Sequence, residues 1–395
     1  MSAAIDIGGP ATGPLQGVRV VDLSTVVMGP MVGQILGDFG ADVIRIEPPF
    51  DTARISPANQ SRNPGMAPLY MQVNRNKRSV ALNLKDPDGR AALLDLMGEA
   101  DVLLTNMRGD ALERLGLSYE QIKERCPHLV YAHAQGFSSE SSQARRAAYD
   151  EVMQAVTGLV DLNDRAAGSV QFFPTFIADK TTGLYLLGAL LAALYYQART
   201  GEGQLISLAM ADTVIAVNLL EHLAGAMFVP PTGPLGNPLS LSREHVALRT
   251  ADGAIAVCAY TYDDIRNLLI GAGCLDFAAD PRWDDSTIDR ELFFEGMQAA
   301  IAHSTAKTTA EWESYLAELD MAFGRVVRID DLPEDPYVRE VGLIEEVEHP
   351  TEGRIRVVAN PARFSRTPVN IRRLAEQAGA STDDVLQQRK SAPVG

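Results

Sequence analysis

The stretch VRVVDLSTVVMGPMVGQILGDFGADVIRIEPP, Val18 to Pro49, decides the fold. VRVVDL (Val18 to Leu23) is a β-branched run suited to a strand, and Ser24 to Met28 follows as a loop. Pro30 then falls in the first turn of a helix, with Val32, Ile35, Leu36 and Phe39 on one face and Gly40 as its stop. ADVIRIE (Ala41 to Glu47) is the next strand, closed by Pro48 and Pro49. Strand, helix and strand within about 30 residues make a βαβ unit, whose strands run parallel with a right-handed crossover.

Working outward, the pattern continues with SVALNL (Ser79 to Leu84), a helix through Ala92 to Ala100 and DVLLTN (Asp101 to Asn106). A further helix around Tyr119 to Arg125 leads into LVYAHA (Leu129 to Ala134). Repetition of this kind places the chain in the α/β class, with a doubly wound, Rossmann-like large domain. Ligands of such sheets sit beyond the carboxyl ends of the strands, which nominates Ser24 to Met28, Lys85, Asn106 to Arg108 and Gln135 to Phe137. From Asp150 to about Glu221 the sequence reads as helical, broken at FFPTF (Phe172 to Phe176), with GEGQ (Gly201 to Gln204) as a turn. The apolar run Gly183 to Tyr196 has 14 residues, whereas a membrane span needs roughly 20, so it reads as a buried helix.

VPPTGPLGNP (Val229 to Pro238) marks a change of unit. HVALRTADGAIAVCA (His245 to Ala259) reads as two strands around an Asp252-Gly253 turn, and helices follow, which gives a smaller α+β domain. The acidic tract IDDLPEDP (Ile329 to Pro336) reads as a solvated linker. The expected division is residues 1–228 for the first part of the large domain, 229–328 for the small domain, and 329–395 for a linker and a segment returning to the large domain.

Asp and Glu number 51 against 35 Lys and Arg, a formal charge of −16. That balance argues against nucleic acid or an anionic membrane as the main partner. Cys126, Cys258 and Cys274 are widely spaced and show no C-x-x-C, so neither a disulfide framework nor a zinc cluster is expected, and a cytoplasmic location is. The segment MSAAIDIGGPATGP does not have the form of a signal peptide.

Several chemistries lack their motif. The first βα turn, LSTVVMGP, has no G-x-G-x-x-G, and no P-loop occurs, which removes the main support for NAD or nucleoside triphosphate. The six histidines, at 128, 133, 222, 245, 303 and 349, form no H-E-x-x-H or close pair, so no metal site is expected. No serine lies in G-x-S-x-G. Basic residues do cluster near strand ends: Arg75, Lys77, Arg78 and Lys85, then Arg108 and Arg114, then Arg145 and Arg146. Converging on one sheet edge they would form a polyphosphate site; separately they would be solvated surface. Asp179 follows FFPTFIA and precedes the apolar helix. A carboxylate there is either a helix cap, which spacing alone favours, or a nucleophile towards an activated acyl group.

Together these segments resemble the family III CoA-transferases, the group of formyl-CoA:oxalate and carnitine-type enzymes that includes α-methylacyl-CoA racemase. The resemblance is colinear from Pro14 to near Leu386. It rests on PLQGVRVVDLS, GPMVGQILGDFGADVIRIEPP, NRNKRSVALNLK, DVLLTNMRGDALERLGLSY, YDEVMQAVTG, the Asp179 segment and RTGEGQLISLAMAD. In the second half DPRW, EEVEHPTEGRIRVVANPARFSRTP and DDVL also fit. It implies that Asp179 is the catalytic aspartate, and that CoA is held by Val27, Met28, Leu82, Asn83, Lys85, Asn106, Met107, Arg108, Arg114, Arg146 and Tyr149. It also implies CoA as substrate with no tightly bound cofactor, and an interlocked homodimer in which the small domain is inserted into the large one. The implied reaction moves CoA from an acyl-CoA to a carboxylic acid through aspartyl anhydride and aspartyl-CoA intermediates.

The sequence departs from the family at defined places. Tyr149 stands where racemases of the group carry the histidine of a G-H-D motif, so a two-base racemase or epimerase lacks one base. A CoA-binding protein without chemistry is the other alternative, against which Asp179 stands. Val27 replaces a polar glutamine of oxalate-type enzymes, which points to a less polar acyl group. Pro48 and Ala147 replace basic CoA contacts that Arg45 or Arg146 would have to supply. Of the glycine run that covers the aspartate in oxalate-type enzymes, only Gly233 and Gly236 remain.

Overall fold

The computed structural model describes residues 4–49, 60–284 and 290–391. Six parallel strands form its main sheet: β1 (Arg19–Asp22), β2 (Asp42–Glu47), β3 (Lys77–Ala81), β4 (Val102–Thr105), β5 (Val130–Gln135) and β6 (Leu205–Ala209). Their order is β3-β2-β1-β4-β5-β6. β1 pairs with both β2 (Val20 opposite Val43) and β4 (Val20 opposite Val102), so the chain reverses its direction of travel across the sheet between β1 and β4. A parallel sheet of this order is doubly wound, and the crevice at its reversal is where such folds bind ligands.

Alternation along the strands separates two cores. Val20, Val43, Val102, Leu104, Val130 and Ala132 face α1 (Met28–Asp38) and α5 (Ile177–Thr200). Val21, Ile44, Leu103 and Tyr131 face the other way, onto α2 (Pro87–Gly98) and Val385 of the carboxyl-terminal segment. Strands covered on both faces read as near-continuous apolar runs, which is why β1, β2, β4 and β5 stand out in the sequence. The remaining helices that matter for the site are α3 (Gly109–Leu115), α4 (Asp150–Val156) and α6 (Met210–His222).

By internal contacts the chain divides into two units, one comprising residues up to Asp161, Val170–Leu220 and the chain from Pro336 on, the other Leu162–Ser169 and Glu221–Asp335. The boundaries thus fall at 220/221 and 335/336 instead of 228/229 and 328/329. α6 ends at His222, and the Pro- and Gly-rich stretch lies inside the second unit. That unit holds an antiparallel sheet ordered Phe323–Arg325, Ala254–Val257, Leu248–Arg249. Its core is built on Ile265, Leu268, Trp283, Leu292 and Trp312, whose indole N–H donates to the Ser304 carbonyl at 2.8 Å.

Two expectations need correction. Leu205–Ala209 is a strand, not part of a helical stretch; its five residues, LISLA, are too few to show a period and lie between two helices. The helix around Gly183 to Tyr196 is buried on one side only. Leu186, Leu190 and Ala193 are in the core, while Leu184, Tyr185, Tyr195 and Tyr196 are exposed. α5 is long and apolar enough to cross a membrane by length and composition, a property that the central helix of a folded core shares.

Candidate active site

The site grows from the reversal point. Past β1, Asp22 is fully buried and accepts from the Ser24 N–H at 2.8 Å. Lys77 Nζ, also buried, donates to Asp22 (2.8 Å), the Pro30 carbonyl (2.8 Å) and Asn74 Oδ1 (2.9 Å). Burial alone would raise the Asp22 pKa, but Lys77 and Arg45 outweigh it and hold the carboxyl below its ordinary value. This pairing fixes the turn into α1. Asn106, just past β4, clamps the same loop: the Thr25 N–H donates to its Oδ1 and its Nδ2 donates to the Thr25 carbonyl, both at 2.8 Å. Between these anchors Val26 sits at φ 70°, a left-handed conformation that is costly for a β-branched residue.

Past β5, a Cβ on Gly136 would lie 2.1 Å from the Ala148 Cβ. Glycine is therefore what lets the Ala144–Tyr149 segment come close to the strand end. Arg146 lies over the Phe137 ring, 5.4 Å from its centroid, and donates to Gln143 Oε1 at 2.9 Å.

Asp179 is the third residue of α5. Its carboxylate does not cap the helix. The capping group is the buried Asp150, at the start of α4, whose Oδ1 accepts from the Asp179 N–H at 3.0 Å while Oδ2 accepts from Gln154 Nε2 at 2.6 Å. Gln154 also accepts from the Phe173 N–H at 2.8 Å, tying the FFPTF segment to α4. The cap reading of Asp179 therefore fails: the job is done by another residue, and the Asp179 carboxylate accepts no hydrogen bond from a described residue. Burial, then the charges of Asp150 and Glu151, push its pKa from 3.8 up to about 6.

A cavity of about 270 Å³ brings these pieces together. Of the residues implied by resemblance, Asp179, Met28, Asn106, Met107, Arg108, Arg146 and Tyr149 line it. Val27, Leu82, Asn83, Lys85 and Arg114 do not. Val27 is buried at the start of α1; Leu82 is buried, and Asn83 and Lys85 exposed, past β3, which β2 and β1 separate from β4. Arg114 is paired with Asp110 at 2.7 Å on the surface of α3. Thr25, Val26, Gln135, Gly136, Ala144, Ala147, Ala148 and Met210 complete the wall. Gln135 and Gly136 lie in a strand end nominated from sequence, but Met210 follows the strand missed there, and Asp150, though it belongs to the YDEVMQAVTG segment of the resemblance, was given no role.

The basic cluster of Arg75, Lys77 and Arg78 is not part of the cavity. Arg75 pairs with Asp38 (2.7 Å), Lys77 with Asp22, and Arg78 with Asp42 (2.6 Å). Arg45, the candidate substitute at the CoA site, is buried against Glu47 (2.9 Å). A larger cleft of about 610 Å³ contains Arg62, Arg75, Arg354 and Arg356, but Arg354 and Arg356 both meet Glu346 and Arg75 meets Asp38. It holds no group with the character of Asp179. Among the described residues no cluster of three His, Cys, Asp or Glu could hold a metal ion.

Comparison with known proteins identifies the family. Residues 15–382 match the family described as CoA-transferase family III. The chain is 30% identical to succinate–glutarate CoA-transferase of Agrobacterium fabrum, covering 95% of each protein. It is 28% identical to human succinyl-CoA:glutarate CoA-transferase, over 95% of this chain and 86% of that one, and 30% identical to formyl-CoA:oxalate CoA-transferase of Escherichia coli O157:H7, over 95% of each. Among solved structures, a CAIB/BAIF family protein from Brucella suis superposes with a TM-score of 0.80 at 26% identity, over 96% of this chain and 100% of that one. The six-stranded sheet, the cavity at its reversal and the match along almost the whole chain lead to one conclusion: the chain belongs to CoA-transferase family III.

Proposed function

We propose that this enzyme moves CoA from an acyl-CoA thioester to a carboxylic acid, with Asp179 as the nucleophile. The observation that carries the proposal is the state of Asp179: half-buried in a cavity beyond the strand ends, without a hydrogen bond to its carboxylate from a described residue, its pKa raised to about 6. A carboxylate so placed is ionised at neutral pH and poorly solvated, and both properties favour attack on a thioester. Its oxygen attacks the acyl carbon and expels CoA thiolate, leaving an acyl-aspartyl anhydride. The thiolate attacks the aspartyl carbonyl, which gives aspartyl-CoA and frees the donor acid. The acceptor carboxylate repeats the exchange in reverse, and Asp179 returns as a carboxylate. Every step replaces one activated acyl bond by another, so no net proton and no ATP is required.

Arg108 and Arg146 at the cavity wall supply positive charge for the phosphates of CoA. Met28, Met107, Ala148 and Met210 give the wall apolar surface that limits access of water to the anhydride. Tyr149 offers no base at the place where a racemase needs one, which favours transfer. The relatives named for succinate and glutarate make these acids the first acceptors to assay. No tightly bound cofactor enters the scheme. The exposed Leu184, Tyr185 and Tyr195 of α5 and Leu220 of α6 support a homodimer that covers them, and three free cysteines support a cytoplasmic enzyme.

The test is acyl-enzyme trapping. Incubation with succinyl-CoA and hydroxylamine should label wild-type protein at Asp179 and leave Asp179→Ala unlabelled and inactive. Full transfer by Asp179→Ala would overturn the proposal. Deuterium entering the α-carbon of a methyl-branched acyl-CoA in heavy water would favour racemisation instead.

A further inference from the structure

One polar group in the cavity has no role in the reaction as drawn. Gln135 ends β5, in register with Ala209 at the end of β6, and lines the cavity with Asp179. Its Nε2 is buried and has no hydrogen-bond partner. Three other buried side-chain atoms among the described residues lack one, Thr182 Oγ1, Tyr262 Oη and Asn370 Oδ1, and none lines this cavity. A buried amide N–H without a partner is unfavourable, and a ligand oxygen removes the deficit. Rotating the carboxamide by 180° exchanges N and O within the same volume, so either face of the group can be turned to a ligand.

The surroundings narrow the ligand. Val26, Met28, Met107, Ala148 and Met210 give the wall no other charge of their own, and Arg108 and Arg146 are exposed. Asp179 already lies in the field of Asp150 and Glu151. A second carboxylate on the acyl chain would be a further negative charge beside Asp179, and the two arginines of the wall are those already assigned to the phosphates of CoA. An uncharged oxygen suits the Gln135 amide.

Resting on the CoA-transferase reading, we propose that Gln135 is a specificity-determining residue that hydrogen-bonds a hydroxyl or oxo oxygen on the acyl chain. The enzyme then prefers hydroxy- or oxoacyl groups to plain acyl groups of the same length and to dicarboxylic ones. The test is binding, which needs no turnover. Asp179→Asn protein is titrated calorimetrically with butyryl-CoA, the hydroxybutyryl-CoA isomers, acetoacetyl-CoA and succinyl-CoA. At least one hydroxy or oxo ester should bind about tenfold tighter than butyryl-CoA and tighter than succinyl-CoA, and Gln135→Met on the same background should erase that difference. Equal affinities in the Asp179→Asn protein overturn the proposal without recourse to the second variant. So does a preference for succinyl-CoA, or a preference that survives Gln135→Met. Absence of transfer to any acid by the wild type would instead defeat the CoA-transferase reading and leave the binding result standing.

Discussion

Replacing Asp179 by Asn should abolish transfer and at the same time make the protein more stable. Each pKa unit corresponds to about 1.4 kcal/mol, so a rise from 3.8 to about 6 means that folding disfavours the Asp179 charge by about 3 kcal/mol. Partial exposure of the carboxylate screens this to about 2 kcal/mol. The sign follows from proton binding. The native state holds this proton more tightly than the unfolded chain, so it binds more protons between about pH 4 and pH 6, and stability falls as pH rises through that window. Above it the loss is complete. Asn has nearly the same shape, carries no charge and forfeits no hydrogen bond that the carboxylate accepts here. Urea unfolding should therefore show Asp179→Asn more stable than wild type by about 2 kcal/mol near pH 8, and the gain should shrink towards zero near pH 4. Calorimetry should show the same change as a rise in Tm of roughly 2 °C. A helix cap would behave differently: Asn caps about as well as Asp, so stability near pH 8 would be nearly unchanged by the replacement, and that result too would count against the assignment. Destabilisation near pH 8, or a gain that does not change with pH, refutes the assignment of a desolvated, uncapped carboxylate.

Asp150→Asn removes one of the two charges that raise the Asp179 pKa, so the acidic limb of the kcat/KM profile should move to lower pH; an unmoved limb would show that burial alone sets it. Lys77→Met leaves Asp22 buried and uncompensated, and should destabilise by about 3–5 kcal/mol in chemical denaturation, against a much smaller loss for the double replacement of Lys77 and Asp22 by apolar residues. Gly136→Ala forces a methyl group against Ala148; activity should fall well beyond the roughly 1–3 kcal/mol stability cost of overpacking, because the displaced segment carries Arg146 and Tyr149 into the cavity. Wild-type kcat with Gly136→Ala would show that the segment does not need its present position.

The parts of the fold that were legible in the sequence are those whose signal is local. β1, β2, β4 and β5 are buried on both faces, so composition alone marks them, and Pro30 and Gly40 bracket α1 where capping rules put them. β6 is an edge strand with a solvent-facing side, and its five residues hide between two helices. α5 misled in the other direction: its apolar run implies burial all round, yet Leu184, Tyr185 and Tyr195 point to solvent. From spacing alone Asp179 was legible only as a choice between cap and nucleophile, and the resemblance favoured the latter. What removes the cap is Asp150, 29 residues earlier in the chain, and a contact at such separation leaves no mark on local pattern.

Charge shows the same limit more sharply. A count of basic residues near strand ends cannot tell a guanidinium available to a ligand from one already engaged. Arg45, Arg75 and Lys77 are each within a few ångströms of a buried carboxylate, and removing them would cost stability first. Arg78 and Arg114 pair nearer the surface, where such pairs contribute little. Arg108 and Arg146 differ because they lie beyond the ends of β4, which borders the reversal of the sheet, and of its neighbour β5, and both reach the cavity that contains Asp179. On the proposed reading, the phosphates of CoA meet two arginines placed by topology. The basic residues around β3 belong to the scaffold: Lys77 fixes the turn from β1 into α1 through Asp22 and the Pro30 carbonyl, while Arg75 holds Asp38 at the end of α1 and Arg78 holds Asp42 of β2.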